Sequence, residues 1–183
     1  MKKINKITLT STLVAIGVVL DLMIKFIPGL NLEMPQGGLV FGFSMLPIIL
    51  IGILIDFKYG ILGGIVFGLV NVLIDGGLFH IASLFSDYIF AFGLLGFSGL
   101  FKNALDNKWK ISLVILFSAF LRYLSHSLGG ALIFAEFAPE GVNPWFYSFI
   151  LYNLPYMISS TFITIVFAIL LMPFLKNLKT NVS

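Results

Sequence analysis

Apolar residues in this chain come in long runs separated by short polar or Gly/Pro-rich breaks, not in the narrow stripes of a soluble helix. Six runs stand out: Ile7–Ile27, Leu39–Ile55, Gly60–Phe79, Leu84–Phe101, Ile111–Ala135 and Phe146–Leu175. A helix that crosses bilayer hydrocarbon needs roughly 20 mostly apolar residues, and each run is expected to be one such helix. The last run is long, and Pro155 and Pro173 are placed to kink or end it. The breaks agree with this division. Pro28-Gly29 closes the first run, and Met34-Pro35-Gln36-Gly37-Gly38 precedes the second. Asp56-Phe57-Lys58-Tyr59 divides the second from the third, residues 102–108 follow the fourth, and residues 138–144 precede the sixth. No repeat or low-complexity tract interrupts the pattern, so residues 1–183 read as a single transmembrane domain of the all-α class.

Charge sets the expected orientation, because short cytoplasmic loops collect Lys and Arg. With the N-terminus inside and six spans threaded, the inner segments hold Lys2, Lys3, Lys6, Lys58, Lys102, Lys108, Lys110, Lys176 and Lys179. The outer loops hold Glu33, Glu136 and Glu140 but no Lys or Arg. Six transmembrane helices with both termini cytoplasmic are therefore expected. Composition agrees: 59% of residues are hydrophobic and 10% charged, against about 45–50% and 25% in soluble domains, and the mean hydropathy is +1.07. The lipid bilayer is the natural solvent for such a chain. Without cysteine it has no disulfide, thiolate metal site or cysteine nucleophile. A net charge of +3 carries no argument for a nucleic-acid partner. No small-residue cleavage site follows the first run, so that run reads as a retained helix and not a signal peptide.

Ionisable groups inside spans need a reason, since each costs about 2.5–3.5 kcal/mol to insert. Asp21, Lys25, Asp87, Arg122 and His126 lie within or near the ends of spans, and Asp75 sits beside the second outer loop. With the orientation above they gather in the outer half of the bundle, where a pocket open to the outside would lie. Bland explanations exist for several. Asp21 and Lys25, four apart, suffice as an ion pair on one helix face. Arg122 suits a structural role, hydrogen-bonded to carbonyls, and His126 an interhelical hydrogen bond. Asp87 has the weakest such excuse, with only Ser86 and Tyr88 beside it. Gly60, Gly64 and Gly68 at four-residue spacing mark a close helix contact. Gly129 and Gly130 mark either packing or space for a ligand. Phe134, Trp145, Phe146, Tyr147, Tyr152 and Tyr156 surround the last outer loop. They form either an interfacial belt or an aromatic wall suited to a flat cation.

The order of several short motifs adds to this. Met34-Pro35-Gln36-Gly37-Gly38 leads into Phe43-Ser44-Met45-Leu46-Pro47-Ile48. Ser86-Asp87-Tyr88-Ile89-Phe90-Ala91-Phe92-Gly93 follows the glycine-rich third span. Arg122-Tyr123-Leu124-Ser125-His126-Ser127-Leu128-Gly129-Gly130, Phe134-Ala135-Glu136-Phe137-Ala138-Pro139-Glu140-Gly141, Tyr147-Ser148, Tyr152-Asn153 and Tyr156-Met157 come after. In this order and spacing, from Met34 to Met157, the chain resembles the thiamine-specific substrate-binding subunit (the S-component, ThiT family) of energy-coupling factor (ECF) transporters. The resemblance implies a subunit of a bacterial cell membrane that binds thiamine near its outer face. Its partners would be an ECF coupling module made of a transmembrane T-component and two ATPases. Asp87, Tyr88, His126, Gly130, Phe134, Tyr147 and Asn153 are the positions it implies for substrate binding. Ser11 and Ala15, four apart on the first span, are those it implies for contact with the module. Two departures stand out: the Tyr147-to-Asn153 stretch is one residue longer than the family pattern, and Gly29–Gly38 contains no Trp.

The resemblance calls for no cofactor, no metal and no catalysis. An intramembrane enzyme is disfavoured by the lack of a paired-His metal motif and of a Gly-x-Ser-x-Gly elbow. A channel is disfavoured because few polar residues occupy the inner half of the spans. An S-component for another small vitamin or a thiamine precursor remains the nearest alternative.

Overall fold

The structure is a computed structural model, and it describes residues 3–35, 37–76 and 78–182. Lys2, Gln36 and Gly77, each part of a segment discussed above, lie outside the described residues. The described chain is all-helical apart from an isolated bridge between Glu33 and Leu39. Four helices are long and apolar enough to cross a membrane: α1 (Lys3–Phe26), α3 (Phe57–Ile74), α5 (Lys108–Ile133) and α6 (Pro144–Leu170). Two apolar helices are shorter, α2 (Met45–Leu54) and α4 (Leu84–Leu100), and α7 (Met172–Val182) closes the chain.

Polar caps explain why three helices begin ahead of their apolar runs. Asp56 accepts hydrogen bonds from the backbone N–H of Lys58 and Tyr59 and so starts α3. Asn107 caps α5 through Lys110, and Asn143 caps α6 through Trp145 and Phe146, with Pro144 in the first turn. At the other end, Pro173 falls in the first turn of α7, after the break at Leu171, so the predicted run to Leu175 divides there.

The largest departure concerns α2. A span over Leu39–Ile55 was expected, but residues 39–44 are not helical, and α2 has only 10 residues, all buried. At about 1.5 Å per residue such a helix is half the thickness of bilayer hydrocarbon. Non-helical backbone is tolerated at that depth only where protein satisfies it. Here serines on α6 do so: Ser159 Oγ donates to the Val40 carbonyl at 2.7 Å, and Ser160 Oγ donates to the Leu39 carbonyl at 2.9 Å. Ser160 Oγ also accepts from the Gly42 N–H at 3.0 Å.

Helices α3 and α4 meet backbone to backbone, as the four-residue glycine spacing predicts. A Cβ at Gly64 would fall 2.1 Å from the Phe92 carbonyl oxygen, and one at Gly68 would fall 2.5 Å from that of Tyr88. Around this contact, Phe67, Met45, Ile48, Ile51, Leu95, Ile111 and Ile115 form a fully buried core. The start of α1 and the end of α7 lie at one end of the bundle. Lys6 pairs with Asp56 at 2.9 Å, while Lys176 and Lys179 donate to the carbonyls of Asp106 and Lys102. At the opposite end Lys25 pairs with Asp75.

Because the atom facing Gly64 is backbone, no rotamer change relieves a new methyl. Gly64→Ala is expected to destabilise the fold by about 1–3 kcal/mol. Thermal unfolding in detergent should show a drop of several degrees, against little change for Gly141→Asn, at an open turn position with φ 80°.

Candidate functional site

At the end of the bundle away from the termini, a cavity of about 550 Å³ opens between the helices. Its wall takes Asp21 and Lys25 from α1, Glu33, Met34, Gly37, Gly38, Leu39, Gly42 and Ser44 from the first loop, Asn71 and Asp75 from the end of α3, and the facing ends of α4, α5 and α6. All seven sequence-predicted residues line it: Asp87, Tyr88, His126, Gly130, Phe134, Tyr147 and Asn153.

Two stretches of π-helix, Leu84–Phe90 in α4 and Tyr147–Asn153 in α6, present most of these groups. Bonding from i to i+5 places residue i over residue i+5. The wall shows that spacing in four pairs: Ser83 with Tyr88 and Asp87 with Phe92 at the start of α4 and just before it, and Tyr147 with Tyr152 and Ser148 with Asn153 on α6. In an α-helix, five positions turn the side chain about 140° away. The wider turn in α6 lets Tyr147 and Tyr152 both face the cavity. Pro155 follows this stretch and has no N–H to donate to a carbonyl of the preceding turn. In α4 the Ser86 carbonyl is taken by Ser125 Oγ on α5 at 2.6 Å.

Charge is organised in two groups. In the first, Asp87 Oδ1 lies 3.0 Å from His126 Nδ1, and Arg122 Nε donates to His126 Nε2 at 3.2 Å. The guanidinium also sits 4.3 Å from the centroid of the Phe92 ring. Arg122 was expected to bond carbonyls; it instead reaches its i+4 neighbour and an aromatic face. In the second group the buried Asp21 carboxylate accepts from Ser44 Oγ and Asn71 Nδ2, each at 3.0 Å. Lys25 pairs with Asp21 at 3.2 Å, as their spacing suggested, and also with Asp75. Asp75 in turn accepts from the Tyr88 hydroxyl at 2.9 Å. Nothing in the sequence ties Lys25 to a residue fifty positions away.

The aromatic cluster divides. Tyr147, Tyr152 and Tyr156 form a chain of rings with successive centroids 6.0 Å apart, and Phe134 sits beside Phe137 at 5.9 Å. All five line the cavity, whereas Trp145 and Phe146 are exposed and absent from its wall. Asn153 is buried, donating to Ser148 and accepting from the Tyr156 hydroxyl at 2.8 Å. The glycines act by packing: a Cβ at Gly130 would meet Ser148 Oγ at 2.2 Å, and one at Gly129 would meet Ser86 Oγ at 2.5 Å. Away from the cavity, Ser11 and Ala15 lie exposed on α1, while Gly17 faces inward against the Phe67 ring.

A family model described as Thiamine transporter protein (Thia_YuaJ) matches residues 7–180. Thiamine transporter ThiT of Bacillus subtilis (strain 168) is 36% identical, over 98% of this chain and 97% of its own length. This chain belongs to the thiamine transporter protein family. The solved structure of ThiT from Listeria monocytogenes shares the fold, with a TM-score of 0.79 at 19% identity over 98% of this chain and 99% of that one. Membership in a transporter family, with four helices long enough to span, makes this a multi-pass membrane protein and not an enzyme.

The Lys25 group yields a stability test. Removing one partner of a buried ion pair costs about 3–5 kcal/mol, because a charge is left uncompensated. Lys25→Met is therefore expected to lower the unfolding temperature markedly, and Lys25→Met with Asp21→Asn should recover a good part of the loss.

Proposed function

We propose that this chain captures thiamine from the outside of a bacterial cell membrane as the high-affinity S-component of an ECF transporter. In this arrangement six helices cross the bilayer, α2 and α4 as short spans shielded within the bundle, and both termini are cytoplasmic. The Lys-bearing end of the bundle then faces the cytoplasm, and the cavity opens outward. The carrying observation is the joint make-up of that cavity: Asp87 at one corner and the rings of Phe134, Tyr147, Tyr152 and Tyr156 around it. Four acids, Asp21, Glu33, Asp75 and Asp87, stand in the wall against Lys25 and Arg122, which favours a cation. Thiamine is a cationic pair of flat heterocycles, one bearing an amino group. Its rings suit the aromatic faces, and its charge and amino group suit Asp87 as acceptor. Tyr88, Tyr147 and Asn153 shape the wall, Gly130 lets α6 approach α5, and His126 stands behind Asp87. Release to the cytoplasm falls to the coupling module, which docks on α1 around Ser11 and Ala15 and hydrolyses ATP.

Calorimetry is the suitable test, since neither Trp109 nor Trp145 lines the cavity. Thiamine should bind at sub-micromolar concentration, with riboflavin and biotin silent. Asp87→Asn should weaken thiamine binding at least tenfold, about 1.4 kcal/mol. Unchanged affinity in that variant would remove Asp87 from the site, and a blank titration of the wild type would remove thiamine. For the docking face, Ser11→Trp with Ala15→Trp should leave binding in detergent intact and abolish uptake by cells. Normal uptake would place the module elsewhere.

A further inference from the structure

Arginine has only donors. Its Nε–H points at His126 Nε2 from 3.2 Å, so that nitrogen accepts. The neutral imidazole then carries its proton on Nδ1, from which it donates to Asp87 Oδ1 at 3.0 Å. Both ring nitrogens of His126 are thereby committed to protein, and the ring has no polar atom left for a ligand. Arg122 is in the opposite position. Its Nε is used and its planar face rests on Phe92, yet among the described residues its two Nη groups have no hydrogen-bond partner, and the residue lines the cavity. The row Arg122–His126–Asp87 thus offers the cavity N–H donors at one end and carboxylate oxygens at the other.

We infer that Arg122 is a direct ligand contact, donating through Nη to a ring nitrogen acceptor of the substrate, while His126 is a positioning residue that aligns Asp87. This deepens the function proposed above and rests on it for the identity of the ligand. An aminopyrimidine carries an exocyclic amino donor next to a ring nitrogen acceptor. Asp87 takes the amino group and Arg122 the ring nitrogen. A ring with the amino group but without the adjacent acceptor satisfies only one end of the row. The arrangement also accounts for an arginine inside the bundle with no carboxylate in direct contact among the described residues: Asp87 is linked to it through the imidazole, and the ring of Phe92 covers its face.

Two measurements on the full chain in detergent test this. The chain has two histidines, His80 and His126, so ring-¹⁵N-histidine labelling gives two imidazole signatures, assigned with His80→Gln. Without ligand, His126 should be neutral with Nδ1 protonated and Nε2 bare, and Arg122→Met should lose that pattern. An Nε2–H tautomer or an imidazolium in the wild type would overturn the proposal. The second is calorimetry with thiamine and the two analogues in which one pyrimidine nitrogen is replaced by CH. Wild type should bind the analogue that lacks the nitrogen next to the amino group at least tenfold more weakly than thiamine, and equal binding of that analogue and thiamine would overturn the contact. Arg122→Met should bind that analogue and thiamine within twofold of each other. The ratio within one variant does not depend on how much of it is folded. If Arg122→Met keeps the wild-type ratio, Arg122 does not touch the ring. If the wild type binds no thiamine, the function above and the ligand contact both fall, while the ¹⁵N pattern still decides the role of His126.

Discussion

The molecule depends first on the closeness of α3 and α4. Gly64 and Gly68 leave no room for a methyl beneath the carbonyls of Phe92 and Tyr88, so α4 is seated on backbone and not on side chains. That seat fixes the depth and rotation of the Leu84–Phe90 stretch. Ser125 then secures the stretch from the other side through the Ser86 carbonyl, and Asp87 is delivered to His126. In lipid there is no hydrophobic drive between helices, so such contacts rest on packing and interhelical hydrogen bonds. A loosened α3–α4 contact would therefore displace the acidic corner before it unfolded anything.

The second constraint is that every polar group at membrane depth needs a partner, since an unpaired one costs several kcal/mol. The chain meets much of it with small hydroxyl groups, although among the described residues the buried Oγ atoms of Ser86, Ser118 and Ser127 have no partner. Ser159 and Ser160 serve the non-helical backbone of residues 39–42, and Ser44 with Asn71 serves Asp21. Ser148 Oγ donates to the Ser127 carbonyl at 2.7 Å and ties α6 to α5. These groups turn irregular backbone from a liability into the floor and sides of a cavity. Short α2, fully enclosed, is possible only because the loop ahead of it is held in this way.

Four of the six long apolar runs are helices long enough to span, legible because span length is set by the bilayer, and the seven expected site residues do share one cavity. What the sequence did not show follows from physics that leaves no local trace. Residues 39–44 are as apolar as a helix and became loop through partners on α6 that lie about 120 positions away. The π stretches break the 3.6-residue period, so spacing alone did not show that Tyr147 and Tyr152 both face the cavity. His126 and Asp87 are 39 positions apart, and within four positions His126 has no acidic residue and Asp87 no basic one to announce the pair. Arg122 did carry a signal, its four-residue spacing from His126, but that spacing fits a structural role equally well.

The distribution of charge at the cavity end reaches beyond equilibrium binding. Glu33 stands in the cavity wall, Glu136 lies in the short turn of helix after Phe134, and Glu140 lies in the loop that follows. No Lys or Arg stands among those loops, and Lys25 is held between two carboxylates. A concave mouth of one sign focuses its field outward and raises the local concentration of cations before any contact forms. On the proposed function, the rate of capture is thus partly a long-range property, set by the carboxylates of these loops. It weakens as ions in the medium shorten the reach of that field to about 10 Å at 0.1 M salt. For the proposed ligand, the acidic rim governs how often a molecule arrives, and the walls govern how long it stays.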